Sequence, residues 1–344
     1  MKMFLTQVVA LVAVTSAAHA GSLNLDMRAD YNSTTYKDSA TADSSKFYFK
    51  TGRLDYSGKA MEDLSFRARI AFNKSTTSGI DASHTAVELA YLTHKMSDNF
   101  SLTAGKFNTE FGGFEGATSG ADLYMTSPFY TPSGNAATLL GTKDLLYMTG
   151  AKGTLTFGGN QIHLMATNET DTKAGPVATQ NSNMYGVTWK GAFMEKALNF
   201  ILSHHMLAGP VKDDKHAYTA AGVMWNSAPV AISVDYLMGE FKTDATGFKD
   251  SMTSIVAKLA YTDLEGITPR IEFASSEEKI GGATDKTNKY TTIGAVVEYK
   301  PYNDVNFRYH LAYNNTKAAL DGVANDAIKD EVVVGARIMA DFLK

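Results

Sequence analysis

The segment LNLDMRADY at residues 23–31 decides the fold, because apolar and polar side chains alternate along it one by one. The segment VVVGARIMADF at residues 332–342 largely repeats this alternation near the C-terminus. Successive side chains of a β-strand point to opposite faces, so each segment has one apolar and one charged face. The pattern predicts a first and a last strand that meet in a closed barrel. Alternation alone fits both a soluble sandwich and a membrane barrel. The apolar faces of the strands point inward in the sandwich and outward in the barrel.

The N-terminal residues favour export and thereby a membrane barrel. Residues 1–20 combine Lys2, an apolar run over 4–14 and the sequence AHA at 18–20, which predicts a cleavable signal peptide and one mature domain over 21–344. After residue 20 no apolar stretch approaches the roughly 18 residues of a membrane helix. An open sheet edge in the bilayer would leave backbone groups unpaired, so a chain that crosses would form a closed barrel.

The composition excludes some classes of function. The net charge is −4, so no basic excess indicates a nucleic-acid partner. The chain has no cysteine, so an exported form would have no disulfide bonds. Its 17 tyrosines, 18 phenylalanines and 28 glycines suit strands and turns, and no composition break divides it.

Alternating patterns predict an all-β fold, a transmembrane antiparallel up-and-down β-barrel of about sixteen strands. Short turns are expected at 57–63, 96–99, 157–160, 193–197, 227–229, 263–266 and 301–304. Longer polar connections are expected at 32–45, 73–83, 109–143, 168–182, 207–215, 240–250, 275–288 and 317–329. Short turns at one end and long loops at the other are typical of outer-membrane barrels. The alternation changes parity near Gly52, which predicts a β-bulge there.

The polar faces would line a lumen. Its cations would be Arg28, Arg53, Arg67, Arg69, Lys152, Lys190, Lys258, Arg270, Lys300, Arg308 and Arg337. Its acids would be Asp26, Asp30, Asp55, Glu88, Asp235, Glu272, Glu298 and Asp341, and Arg270 is expected to pair with Glu272. Side chains cannot fill a sixteen-strand barrel, so the interior is expected to hold water and solutes. The sequence therefore predicts a water-filled channel for passive diffusion of small hydrophilic solutes and ions, without a cofactor or a metal.

The connection from Thr109 to Lys143, here named loop 3, is the longest in the chain, with 35 residues. Loops of this length usually have a function or are disordered. Folded into the lumen, Glu110, Glu115 and Asp122 would face arginines and set up a transverse field across a narrow opening. The alternative is an external loop that covers the mouth of the barrel.

A resemblance to a known family rests on two features of the sequence. They are the three inward arginines Arg53, Arg67 and Arg69, and the sequence GKFNTEFGG at 105–113, which opens loop 3. The chain resembles the Gram-negative trimeric porins, both general diffusion porins and phosphate-selective porins. The resemblance implies a homotrimer in outer-membrane lipid, loop 3 inside each pore, and those arginines facing Glu110 and Glu115. Two features depart from the family. Loop 3 has no Lys or Arg between residues 106 and 143, which argues against a phosphate trap, and the chain continues past Phe342 by two residues.

The sequence also fits three other functions. The arginine-rich wall, with Arg28, Arg308 and Arg337 as further pore-lining candidates, favours an anion-selective channel of the phosphate type as the first alternative. Ser203 and His205 share a strand face and, with an acid such as Asp235, would suit a barrel hydrolase. A structural or adhesin barrel with a blocked lumen is the third alternative.

Overall fold

A computed structural model of the protein describes residues 19–37, 41–74, 85–130, 145–168, 183–208, 215–242, 247–323 and 326–343. Sixteen strands form one closed antiparallel sheet in which each strand pairs with its neighbours in the sequence. The first strand pairs with the last, with Arg28 opposite Arg337. The predicted barrel and strand number are therefore confirmed.

The strands are longest around the closure between the first and the last, and shortest at the third, fourth, fifth and seventh positions. They are β1 His19–Tyr36, β2 Ser44–Lys59, β3 Leu64–Ala71, β4 Val87–Lys95, β5 Phe100–Asn108, β6 Tyr147–Phe157, β7 Asn160–Asn168, β8 Asn183–Phe193, β9 Leu198–Ala208, β10 Lys215–Ser227, β11 Val230–Lys242, β12 Lys249–Tyr261, β13 Ile267–Ile280, β14 Lys286–Tyr299, β15 Asn306–Ala319 and β16 Ala327–Asp341. A one-turn helix, α1, spans Phe114–Ala117. No helix among the described residues is long and apolar enough to cross a membrane. Most of the predicted signal peptide, 1–18, lies outside the described residues.

Over the middle of the strands, the outer face of the barrel is apolar and exposed, whereas the charged side chains lie on the inner face. On β14, for example, Ile293, Val297 and Tyr299 are exposed, while Thr292 and Glu298, at the alternate positions, are buried. An apolar exterior around a polar interior is the polarity of a membrane barrel and the reverse of a soluble one.

Connections are short at one end of the barrel, as predicted. The turn between β6 and β7 consists of Gly158 and Gly159, whose φ angles of 51° and 83° suit glycine in a two-residue hairpin. Exposed aromatic side chains flank this end: Phe157, Trp189, Phe193, Trp225, Tyr261, Tyr299 and Phe342. Such a band matches the aromatic girdle of membrane barrels. Tyr56, near the same end of the barrel, is only 5% exposed because it packs on Phe66.

The predicted bulge lies in β2, two residues before Gly52. Arg28 and Ala29 of β1 lie opposite Thr51 and Phe49, so Lys50 is the extra residue. One extra residue shifts all following side chains to the other face, which explains the change of parity in the sequence.

The larger of two buried apolar clusters among the described residues lies inside the barrel, against β6 and β8–β13. Loop 3 contributes Phe111, Met125, Phe129 and Tyr130. The wall and its flanks contribute Leu145, Leu146, Met148, Met184, Leu207, Tyr218, Ala220, Leu237, Phe241, Met252, Val256 and Ala274. These two groups together are named the apolar anchor. The sequence predicted water and solutes in the lumen, and no apolar cluster on one side of it.

Candidate constriction site

Loop 3 is described over 109–130, and its path begins with a sharp change of direction after β5. Thr109 is tied to the start of β6, since its amide donates to Leu146 O at 2.9 Å and its hydroxyl to Leu145 O at 2.6 Å. Glu110 and Gly112 then adopt positive φ angles of 58° and 87°. This left-handed backbone turns the chain away from the strand direction.

Three wall residues hold the next part of the loop through its backbone. Ser203 donates to Gly112 O at 3.1 Å, and His205 Nε2 lies 3.2 Å from Thr109 O. Asp235 accepts the first amides of α1, from Phe114 at 2.8 Å and Glu115 at 2.7 Å. The residues of the hydrolase alternative therefore each bind loop 3, and no hydrogen bond among the described residues joins Ser203 to His205.

Glycine is required where α1 approaches the wall. A Cβ atom on Gly113 or on Gly222 of β10 would lie 2.3 Å from Asp235 Oδ1. Both positions leave room for this carboxylate between the loop and the sheet. A β-carbon at either place would push Asp235 away from the amides of α1.

The aromatic contacts of the apolar anchor involve the loop directly. The ring of Phe111, 1% exposed, lies 4.9 Å from the rings of both His205 and Tyr218. Phe129 meets Tyr218 edge-on at 6.3 Å. Burial of such rings is the largest stabilising contribution that a loop of this kind can make.

A row of arginines holds the same loop from the other side of the barrel. Arg28, Arg337 and Arg308 lie opposite one another on β1, β16 and β15. Arg308 and Arg337 both bind the carboxylate of Asp122. Arg28 Nη1 donates to Ala121 O at 2.7 Å and to a second carbonyl of the loop at 3.2 Å. These three arginines and Asp122 are named the charged anchor.

The charged anchor is held rigid by acids of the wall. Arg28 lies 2.9 Å from Asp30, Arg337 Nε lies 2.7 Å from Asp26, and Arg308 Nε lies 3.3 Å from Glu298. A second acceptor fixes the orientation of each guanidinium. Burial raises the pKa of Asp122, but Arg337 and Arg308 outweigh burial, so that its pKa lies below the ordinary value. Asp122 is therefore an ionised loop carboxylate.

The predicted arginine cluster gathers around a wall acid. Arg53 and Arg69 reach Glu88 of β4 through Nε at 2.7 and 2.8 Å, and Lys74 reaches it at 2.7 Å. Arg67 binds Asp55 at 2.6 Å. One contact with loop 3 remains, because Arg53 Nη1 donates to the hydroxyl of Ser119 at 3.1 Å. Lys74 was not predicted in this cluster, since its place just after β3 gave no sign of it.

The two carboxylates expected to face that cluster make other contacts. Glu110 binds Lys152 at 3.3 Å and Lys190. Glu115 is buried and accepts hydrogen bonds from the amide and hydroxyl of Ser127 at 2.6 and 2.7 Å. Burial raises the pKa of Glu115. These contacts replace the expected pairing with Arg53, Arg67 and Arg69, because loop 3 folds back on itself around α1. Asp122 is the loop acid that meets arginines.

These features define a class of protein. A closed sixteen-strand barrel, apolar outside and charged inside, with a long third loop held by inner-face residues, is the architecture of an outer-membrane porin. The chain belongs to the family of phosphate-selective porins O and P, whose description matches residues 22–199. The protein is therefore a channel of the bacterial outer membrane. No curated protein matches the chain in sequence.

Solved structures share the fold at low sequence identity. The anion-selective porin of Comamonas acidovorans is 14% identical, with a TM-score of 0.71 over 93% of this chain and 99% of that one. The channel DcaP of Acinetobacter baumannii is 13% identical, with a TM-score of 0.63 over 93% and 97%. OmpF of Salmonella typhi, in complex with daunomycin, is 16% identical, with a TM-score of 0.60 over 94% and 99%.

Proposed function

We propose that the protein passes small hydrophilic solutes and ions by passive diffusion, and that residues 109–130 of loop 3 form the narrowest section of the lumen. The observation that carries this proposal is that the loop contacts opposite walls. Ser203 and His205 of β9 bind its first part, and Arg28 of β1 binds Ala121. In a ring of sixteen strands, β9 and β1 lie half a circumference apart. A segment held at both ends of a diameter crosses the lumen.

We also propose that the barrel carries out no chemical step. Support comes from Ser203, His205 and Asp235, which suit a hydrolase by residue type alone. Each of them is engaged with the backbone of loop 3 rather than with another member of the trio. A nucleophile with its hydroxyl proton donated to a structural carbonyl is poorly placed to attack a substrate.

A modest preference for anions is the second candidate. Support comes from the row of Arg28, Arg308 and Arg337, which lie opposite one another on β1, β15 and β16 beside the single loop carboxylate of Asp122. Because loop 3 has no Lys or Arg between residues 106 and 143, we expect a weak field effect and no tight phosphate site.

We further propose a homotrimer of mature chains that begin at Gly21. The strands β3, β4, β5 and β7 are the shortest of the barrel. They have eight or nine residues, whereas roughly 9–11 residues span a bilayer. Neighbouring copies of the chain would shield this side of the barrel from lipid. Cross-linking in native membranes should give trimers, and mass spectrometry of the purified protein should give Gly21 as the first residue. Monomers only, or a retained leader, would contradict these two proposals.

The channel proposal is tested most cleanly with a single cysteine on loop 3. Gly120 has no atom within 4 Å of an added Cβ, and the chain has no native cysteine. In Gly120→Cys, reaction with a bulky thiosulfonate should lower single-channel conductance in planar bilayers. The control is Ser97→Cys, in the exposed turn between β4 and β5, where the same label should leave conductance unchanged. Unchanged conductance in fully labelled Gly120→Cys would contradict the placement of loop 3 in the conducting path.

A further inference from the structure

A cavity of about 310 Å³ lies between loop 3 and strands β10–β13, towards the end of the barrel with the short turns. Loop 3 lines it with Phe114, Thr118 and Asp122. The wall lines it with Met224, Ser233, Lys258 and Arg270, together with small apolar residues. Its size is at the lower end of small-molecule sites, which have roughly 300–1,000 Å³.

Arg270 presents a hydrogen-bond donor that no described residue uses. Its Nε lies 2.8 Å from Glu272, and its guanidinium lies over the ring of Tyr124, 5.3 Å from the centroid. Nη2 is buried and has no hydrogen-bond partner among the described residues. A buried donor without an acceptor is costly, and a bound acceptor would remove that cost.

Lys258 supplies a second positive charge to the same cavity. It forms no ion pair within 4 Å in the described part of the chain. Its positive charge does interact at longer range with the carboxylates of Glu115 and Asp235. Those two acids already accept hydrogen bonds from the amides and hydroxyl of loop 3. The ammonium group of Lys258 is therefore available to a ligand.

The sheet register brings the two cations together. Lys258 lies opposite Glu272 and Arg270 lies opposite Ala260, which makes the two cations diagonal neighbours. Diagonal neighbours in an antiparallel pair are about 7–8 Å apart, within the combined reach of two long side chains. The acid in the cavity is Asp122. Because Arg308 and Arg337 bind it, Asp122 competes little with a ligand for Lys258 and Arg270.

We propose that this cavity binds a small organic anion, with its carboxylate between Lys258 and Arg270 and its apolar body against Phe114 and Met224. The proposal rests on the channel function above and names a solute class for it. An inorganic anion would satisfy the two cations but leave the apolar wall of the cavity unused. A neutral molecule of the same shape would leave Arg270 Nη2 without an acceptor.

The test is calorimetric titration of the detergent-solubilised, full-length barrel with benzoate, with benzyl alcohol and inorganic phosphate as comparison ligands. We expect saturable benzoate binding at millimolar or lower concentration, and at least tenfold weaker binding of either comparison ligand. Lys258→Gln and Arg270→Gln should each weaken benzoate binding about tenfold. The matched control, Lys196→Gln in the exposed turn before β9, should bind as wild type does.

One further variant and a check of folding keep the outcome decisive. Met224→Ala should weaken benzoate binding without changing the response to phosphate. Each variant is first shown to be folded by its heat-dependent mobility in gels. Equal benzoate binding by wild type, Lys258→Gln and Arg270→Gln, or equal binding of benzyl alcohol, would overturn the proposal. Because calorimetry needs no ion flow, a barrel that binds benzoate but does not conduct would refute the channel function alone.

Discussion

The apolar anchor and the charged anchor hold the same loop by different physics. On the β6 and β8–β13 side, Phe111, Met125, Phe129 and Tyr130 pack into a dry cluster. On the β1, β15 and β16 side, Asp122 and two backbone carbonyls meet three arginines. Apolar packing is non-directional and insensitive to salt, whereas ion pairs that are in part exposed weaken as salt is added.

Because apolar packing and ion pairs differ in this way, the two anchors have different roles. The apolar anchor supplies most of the free energy that keeps loop 3 in place, since it buries several large side chains. The charged anchor adds less stability, because each arginine already has a wall acid as a partner. It fixes an ionised carboxylate, one third exposed, beside the conducting path proposed above. Stability and selectivity should therefore respond to different substitutions.

The largest effect is expected from breaking the apolar anchor with Phe111→Ala. Removal of a fully buried phenylalanine costs about 3–5 kcal/mol, so the loop should loosen and the free energy of unfolding should fall. Denaturant unfolding and single-channel recording would measure the loss of stability and an increase in current noise. Phe47→Ala, at the long-loop end of β2 and 85% exposed, is the matched control and should change both far less. Quiet, wild-type currents in Phe111→Ala would contradict the role given to this anchor.

A smaller effect, on selectivity alone, is expected from Asp122→Asn. The substitution removes one negative charge beside Arg308 and Arg337, so the reversal potential in a KCl gradient should shift towards anions. The shift should shrink at high salt because the charge is partly exposed. Conductance should stay within about twofold of wild type. Glu110→Gln is a useful comparison, because Glu110 is bound to Lys152 and Lys190 on another part of the wall. An unshifted reversal potential would place Asp122 away from the ion path.

The smallest expected effect is a difference in pH response between the two sides of the loop. The raised pKa of Glu115 means that its protonation stabilises the fold as pH falls from neutral towards its ordinary value of 4.5. The lowered pKa of Asp122 means that its contribution is complete above 3.8 and is lost only as pH falls below that value. Unfolding midpoints at pH 7, 5 and 3 would measure both trends. Glu115→Gln should weaken the first trend, and a trend of unchanged size would exclude Glu115 as a source.

The barrel itself could be predicted from the sequence, and the partners of loop 3 could not. The alternation at 23–31, largely repeated at 332–342, indicated the closure between β1 and β16. The pairing of Arg270 with Glu272 also followed, because residues two apart on one strand share a face. These relations are local or set by register. The path of loop 3 depends on packing between distant segments, which no periodicity records.

One signal for the apolar anchor was present in the sequence. In the halves of the strands towards the long loops, apolar residues occupy both faces, as with Leu237 and Met238 on β11 or Met206 and Leu207 on β9. Lost alternation in a membrane strand indicates an inner face that packs against protein rather than water. Reading the strands for this loss would have predicted a partly filled lumen and a loop packed against that side.

The most direct test of the central claim is the single-channel conductance of a barrel that lacks residues 116–130. This deletion removes Asp122 from the charged anchor and Met125, Phe129 and Tyr130 from the apolar anchor, while it leaves the sixteen strands intact. Reconstituted in planar bilayers after its folding is verified, this barrel should conduct at least twice as much current as wild type. Conductance equal to that of wild type in the folded deletion variant would contradict the claim that loop 3 sets the width of the channel.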